Sequence, residues 1–220
     1  MTTAAQDWAA TTEQQLLDEA LKLAPVHGWT HRTTTLAGKA LGMSPAETEL
    51  LLPQGPVDLA ALMSRRHDAR ALETLANVHP DNLKIRERIR RAVEARLDAA
   101  FADEPALRRW MGFLALPGHV RQGTRLAWES ADVLWRWAGD VATDENHYSK
   151  RVLLAGILTG AMAVRLSSGR GAAMAFVDRR IADVMAFEKW KATTRLRPGH
   201  WLEQAAERLG RARYGGPPPA

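Results

Sequence analysis

The sequence predicts an all-α chain of about nine or ten helices, and three observations carry that prediction. No segment sustains the period-two alternation of β-branched residues that a half-buried strand shows. Apolar residues instead recur at three- and four-residue spacings, as they do on helices that bury one face. Pro and Gly fall between these stretches, at separations that suit helices.

The first helix runs from about Thr12 to Val26, with Leu16, Leu17, Ala20 and Leu23 on one side. A Gly28–Trp29 turn, a short Ala- and Gly-rich helix and the break Gly42-Met43-Ser44 lead to a third helix in SPAETELLLP. A longer fourth helix spans Pro56 to Ala76, with Leu59, Leu62, Met63 and Arg66 toward its middle. Pro80 and Asp81 open a fifth, where Ile85, Ile89, Ala92, Val93 and Leu97 form the buried stripe and Glu87 and Arg91 an i,i+4 pair. Arg86, Arg88, Arg90, Arg91 and Arg96 make this helix basic. They read as a solvated outer face, with attraction to anionic lipid headgroups as the alternative. Asp103-Glu104-Pro105 starts a short helix holding Trp110, Phe113 and Leu114, and Pro117-Gly118 ends it.

The chain is organised around Ala131–Arg151. The helix from His119 to Trp137 carries Trp128, Val133, Leu134, Trp135 and Trp137, apolar on more than one side, which predicts burial. Gly139 stops it. Thr143 can cap the next helix, and Asp144 and Glu145 favour the positive end of its dipole. That helix presents Tyr148 early and runs into Val152–Val164, apolar on all sides. It reads as a buried helix, too short to cross roughly 30 Å of hydrocarbon. Gly156 and Gly160 form a small-xxx-small spacing that permits close approach of a helix or ligand, or close packing in a core. After Ser167-Ser168-Gly169, a helix from Ala172 buries Met174, Val177, Ile181, Val184 and Met185, with Asp178, Arg179, Arg180, Asp183 and Glu188 on its polar side. The chain loosens over Lys191–Gly199. A last helix has Trp201, Leu202, Ala205, Ala206 and Leu209 on one face, with Arg208, Arg211 and Arg213 nearby. A basic amphipathic helix of this kind suits a membrane surface, and folding back on the body is the alternative.

Two motifs, WRWAGDVATDENHYSKRVLLAGI (Trp135–Ile157) and FVDRRIADVMAFEK (Phe176–Lys189), resemble the coenzyme Q biosynthesis protein nine family of lipid-binding accessory proteins. The resemblance covers the chain from Leu16 to Lys191. The pattern from Leu17 to Met63 resembles the N-terminal helix-turn-helix of TetR repressors, which speaks to fold more than to function. Together they imply a TetR-repressor-like helical bundle. The expected division is a helix-turn-helix-like region at 1–55, a lipid-binding region at 56–190, a linker at 191–199, an amphipathic helix at 200–214 and a disordered tail at 215–220.

The family resemblance implies a non-catalytic protein that needs no cofactor or metal. It would hold an isoprenoid lipid or quinone intermediate in an apolar cavity and present it to the di-iron demethoxyubiquinone hydroxylase, docked on a membrane surface and acting as a homodimer. The expected cavity wall is Trp135, Leu153, Ile157, Met162, Met174, Ile181 and Met185, for which plain core packing is the alternative. The expected partner surface is Asp144, His147, Tyr148 and Arg151, exposed at the helix start. Tyr148 half-buried against Trp137 is the alternative. The expected membrane contacts are Trp201, Leu202, Leu209, Arg208 and Arg211. Many relatives carry a large aromatic where His147 stands, so an anchor made there is weaker or differently tuned in this chain.

Charge bears on the rival functions. Net charge is +5, but residues 1–60 hold three Lys or Arg against seven Asp or Glu, net −4, and the rest 27 against 18, net +9. The third helix would read DNA in a lipid-responsive TetR-type repressor. It carries Glu47 and Glu49, and no Lys or Arg occurs from Met43 to Leu62. Carboxylates repel a polyanion whose binding depends on phosphate neutralisation, so the sequence argues against DNA. With no cysteine, thiol nucleophiles and Cys-based metal sites are excluded. His27 and His31 straddle the Gly28–Trp29 turn and make no helical metal pair. The N-terminal stretch, free of Lys and Arg up to Lys22, is unlike a secretory or mitochondrial leader, so the chain reads as a bacterial cytoplasmic protein peripheral to the inner membrane, with the mitochondrial matrix as the alternative for a processed eukaryotic form.

Overall fold

The computed structural model describes the backbone of residues 2–140 and 145–193, and the side chains of residues 8–140 and 147–187. These residues form eight α-helices and one 3₁₀ turn, with no strand among the described residues. The helices are α1 (Thr2–His27), α2 (His31–Ala40), α3 (Pro45–Leu51), α4 (Pro56–Thr74), α5 (Ile85–Phe101), α6 (Glu104–Leu114), α7 (Val120–Trp137) and α8 (Glu145–Thr193), with the 3₁₀ turn at Pro80–Asn82. The fold is all-α, and the order of its first four helices fits the TetR-like expectation. Fewer helices are described than the nine or ten expected. The stretches on either side of Gly169 join as one element across a kink, and the predicted helix at 200–214 lies outside the described residues.

Local sequence sets most boundaries. Thr30 caps α2 by accepting from the Thr33 N–H, and Ser44 and Glu47 close a reciprocal capping box at the start of α3. Glu47 is thereby committed to the Ser44 backbone and hydroxyl, and those bonds hold its carboxyl below the usual range. At Gly38 a Cβ would run into the Thr48 side chain, so α2 and α3 pack through a glycine. Helix α1 begins well before Thr12, because the Ala- and Gln-containing stretch ahead of the apolar stripe favours helix by itself.

Helix α4 is the hub, in close contact with α1, α2, α5 and α7. Leu16, Leu17, Leu59, Met63, Leu97, Leu107, Leu126 and Leu134 are fully buried. Two indoles tie distant segments by donating to carbonyls, Trp29 to Ala106 at 3.1 Å and Trp110 to Ala60 at 3.0 Å. The predicted stripe of α5 holds at Ile89, Ala92, Val93 and Leu97, but Ile85, in the first turn, is exposed. The α5 arginines are not a uniform solvated face. Arg91 pairs with Glu87 at 3.0 Å as expected, whereas Arg96 is buried.

Helix α8 differs from the rest. It is not among the closely packed helix pairs. Its first half presents one buried stripe, Leu154, Leu158, Ala161 and Met162, while Val152 is 58% and Leu153 44% exposed. The expected all-round burial is therefore wrong, because only one side of this apolar helix faces the body. By length and composition the helix over His147–Phe187 is long and apolar enough to cross a membrane, in contrast to the shorter span read from the sequence. Gly169, at φ 82° and ψ 177°, breaks its helical geometry.

Charged contacts hold α8 to α5 and α7. Near its start Arg151 pairs with Asp132 at 2.6 Å and Asp140 at 3.0 Å. Farther on, Arg165 pairs with Asp98, Arg170 with Asp98 at 2.9 Å and Glu94 at 2.7 Å, and Asp178 with Arg90 at 2.8 Å. The hydrogen bond from Arg170, more than that from Arg165, holds the Asp98 carboxyl below its ordinary range against the opposing effect of burial. Two compact units divide the chain, Met1–Asp178 and Arg179–Ala220. Of the second, the described part is the end of α8, where Arg180 and Asp183 pair at 2.8 Å. Helix α8 continues to Thr193, three residues into the stretch expected to be linker.

Candidate functional site

The gap beneath α8 is a cavity of about 620 Å³. Helix α8 lines it with Val152, Ala155, Gly156, Leu158, Thr159, Gly160 and Met162, α7 with Leu126 and Trp128, α6 with Trp110 and Leu114, and α5 with Leu97. Val120, Thr124, Val152 and Thr159 are exposed and form its rim, while Leu97, Leu126 and Leu158 are buried and form its depth. Its size lies within the range of small-molecule sites, and its surface is almost wholly apolar.

The two glycines of the small-xxx-small spacing do different work. At Gly160 a Cβ would stand 2.8 Å from the Phe176 ring, so this glycine lets the chain beyond the Gly169 kink pack back on α8. At Gly156 a Cβ would meet nothing within 4 Å. That position is exposed and borders the cavity.

On the buried side, the wall includes a polar cluster that the sequence reading missed. Ser64, Arg96 and Ser130 border the cavity, and Asp68 lies behind them. Arg96 Nε donates to Asp68 Oδ1 at 2.5 Å and Nη2 to Ser64 Oγ at 3.3 Å, while Ser130 Oγ donates to Asp68 Oδ2 at 3.1 Å. A signal for this cluster was present. Arg96 falls in phase with Ile89, Ala92, Val93 and Ala100 on the inward stripe of α5.

Of the seven residues expected to line the cavity, Met162 does so. Ile157, Met174 and Ile181 are buried without bordering it, and Leu153 and Met185 are exposed. Trp135 is half-buried and donates its indole N–H to the Lys150 carbonyl at 3.0 Å. The cavity lies on the α5–α6–α7 side of α8, one helical face away from Leu153 and Ile157.

The partner surface divides. Tyr148 is 63% exposed and His147 half-buried, with their rings 5.2 Å apart. Tyr148 also lies 5.9 Å from the Trp128 ring, which itself borders the cavity, so the alternative of Tyr148 packed against Trp137 does not hold. Arg151, expected to be exposed, is 1% exposed, because its two carboxylate partners draw it inward between α7 and α8. Burial pushes the Asp140 carboxyl up, but hydrogen bonds from Lys150 and Arg151 outweigh it and hold that group below its ordinary range. Thr143, Asp144 and the membrane candidates Trp201, Leu202, Arg208, Leu209 and Arg211 lie outside the described residues.

His67, beside Asp68 on α4, is buried, and its Nε2 lies 3.1 Å from Asp103 Oδ2. Burial pushes its pKa down from 6.5 to about 4, despite the hydrogen bond with Asp103. Between those values the unfolded chain binds the proton that the folded chain refuses, so stability rises with pH. It is fully present above pH 6.5 and falls as pH drops toward 4, by on the order of 3 kcal/mol. The urea midpoint should fall across this window in the native sequence and hold much more nearly level in His67→Gln. Asp103 is held below its ordinary range chiefly by the His67 hydrogen bond, and it contributes a further loss in more acid solution.

Residues 120–188, which contain α7 and most of α8, match the COQ9 family. Among curated proteins, the chain is 27% identical over 186 residues to "Ubiquinone biosynthesis protein COQ9, mitochondrial" of Bos taurus, covering 79% of this chain and 57% of that protein. The Homo sapiens protein of the same name is 25% identical over 185 residues, covering 79% and 57%, and the COQ9-A protein of Xenopus laevis is 28% identical over 190 residues, with the same coverage. The chain thus spans less than three fifths of the length of these relatives. The family match lies on the two helices that carry the cavity mouth and the Tyr148 surface, and the relatives extend the likeness to the COQ9 proteins over most of the chain.

Proposed function

We propose that this chain serves ubiquinone biosynthesis as a non-catalytic carrier. It holds the apolar tail of an isoprenoid or quinone intermediate beneath α8 and delivers the molecule to the di-iron hydroxylase that acts on demethoxyubiquinone. The observation that supports this reading is the apolar cavity of about 620 Å³ opening beside α8. Each buried methylene of a tail contributes roughly 0.8 kcal/mol, so a few isoprene units offset the cost of immobilising the ligand. Val152 at the rim and the neighbouring Leu153 are exposed apolar residues, which in this reading face the membrane. In this reading Trp201, Leu202, Leu209, Arg208 and Arg211 make the membrane contact, and the chain works as a homodimer. The relatives' names call them mitochondrial, and that favours the matrix face of the inner membrane over the cytoplasmic setting.

Native mass spectrometry of the purified chain, followed by solvent extraction, tests the proposal. A quinone or isoprenoid near one per chain is the expected result. Failure to retain any apolar molecule, even after incubation with quinone-loaded vesicles, overturns it.

The partner surface in this reading is Tyr148 with His147, joined by Asp144. A rigid amphipathic ring, exposed and supported by Trp128, is the kind of anchor that dominates interfaces. Tyr148→Ala is expected to weaken hydroxylase binding at least tenfold with an unchanged melting curve. Unchanged affinity in a pull-down titration would remove this surface.

A further inference from the structure

We infer that the cavity also recognises the head of its ligand, and that Arg96 provides the recognition by donating to a neutral oxygen. The inference rests on the carrier reading and adds to it the chemical class of the head and the direction in which the molecule lies.

Arg96 is a buried cation at the wall of an apolar cavity, and its neighbours account for only part of its donor set. Nε is used by Asp68 Oδ1, and Nη2 by Ser64 Oγ at 3.3 Å, the Ser64 carbonyl at 3.5 Å and Ser130 Oγ at 3.5 Å. Nη1 has no hydrogen-bond partner among the described residues. The guanidinium is also fixed in place. Asp68 and the hydroxyls of Ser64 and Ser130 hold it from α4 and α7, and Ser130 in turn donates to Asp68. A donor so placed is left unpaired by an all-hydrocarbon ligand and is satisfied by an oxygen acceptor.

Charge selects the kind of oxygen. Arg96 and Asp68 already form a buried pair of zero net charge. The nearby His67 is neutral above its depressed pKa, and Asp103 is ion-paired with Arg70 on the far side of that histidine. A carboxylate or phosphate brought to Nη1 would add an uncompensated negative charge to a region of low dielectric, next to the Asp68 carboxylate. A quinone carbonyl, a phenol or a prenol hydroxyl takes the same hydrogen bond without that charge.

Position sets the direction. Arg96, Ser64 and Ser130 are buried, whereas Val120, Thr124, Val152 and Thr159 on the opposite side of the lining are exposed. The head therefore lies innermost and the tail runs out past Leu126, Leu158 and Met162 to the rim. Bound in this way, a redox-active ring is shielded from solvent while it is carried, and transfer requires the molecule to leave tail first.

The test ranks three probes by native mass spectrometry on the full chain: a decyl-substituted benzoquinone, the hydrocarbon squalene and palmitate. The native sequence is expected to bind the quinone at least tenfold more tightly than either of the others. Arg96→Met with Asp68→Leu removes both charges while filling the same volume, a replacement that commonly leaves stability intact. It should keep squalene affinity and lose the quinone preference. Ser130→Ala, which keeps the ion pair, should reduce the preference by a smaller factor. Equal binding of quinone and squalene by the native chain, tightest binding of palmitate, or a preference that survives in a folded double variant overturns the inference and leaves the carrier reading standing. Binding of none of the three overturns both. The native-chain ranking decides the matter even if the double variant does not fold.

Discussion

Arg151→Ala is expected to cost about 3–5 kcal/mol of stability and to lower Tm by roughly 10 °C, read by circular dichroism against the native chain. Among the described residues Arg151 is the largest of the fully buried side chains, and its guanidinium is shared among Asp132, Asp140 and the His147 carbonyl. Without it, Asp132 keeps Arg136 at 2.7 Å and Asp140 keeps Lys150 at 2.7 Å, but both partners approach from the outside and the space between the helices is left unfilled. The loss should fall on the corner joining α7 to α8. Lysine restores a charge but not the fork that reaches two carboxylates, so Arg151→Lys should recover less than half of the loss. An equal recovery by lysine would show that charge alone matters there. A fall in hydroxylase binding in Arg151→Ala would follow from the displaced corner, and Tyr148→Ala is the variant that reports on the surface itself.

Gly156→Leu is expected to reduce lipid retention tenfold or more while leaving stability unchanged or slightly higher. The position borders the cavity and has open space where a Cβ would go. A leucine there occupies volume that the tail would otherwise fill. It also replaces a helix-interior glycine with a residue better suited to helix by up to about 1 kcal/mol. Stability and binding should thus move in opposite directions, which no general damage to the fold can mimic. Extraction and quantification of bound lipid, alongside a urea titration, reads both. Full lipid content in a folded Gly156→Leu chain would mean that the ligand lies elsewhere. Gly160→Leu is the contrasting change: it drives a side chain into Phe176 and should lower stability.

Those two glycines show how far a sequence reading carries. Their spacing announced close approach, and both positions sit where backbone access matters, but which one faced a ring and which one faced a void depends on Phe176, across the Gly169 kink. The helices themselves were legible because their signals are local: the stripe at Leu16, Leu17 and Ala20, the stop at Gly139 with φ +88°, and the paired charges at Glu87 and Arg91. The arginines were misread because their partners are not local. Arg96 finds Asp68 twenty-eight residues away, and Arg151 finds Asp132 nineteen residues back, across the corner. Register would have distinguished them. Arg151 falls in phase with Leu154 and Leu158, as Arg96 does with Ala92 and Val93, and an arginine on an inward stripe calls for a carboxylate opposite. The cavity had no such signal, since a residue that faces a void and one that faces a neighbour share the same apolar pattern.

The two sets of ion pairs that hold α8 differ in their exposure to solvent. The Arg151 side chain is 2% exposed and those of its partners Asp140 and Asp132 6% and 21%, whereas Arg170 is 53% and Asp98 42% exposed, and charges in water are screened over about 8 Å at physiological ionic strength. Added electrolyte therefore weakens the downstream fastening and spares the upstream one. The part of α8 that lines the cavity, residues 152–162, lies between the two, so dissolved salt acts unequally on its two ends.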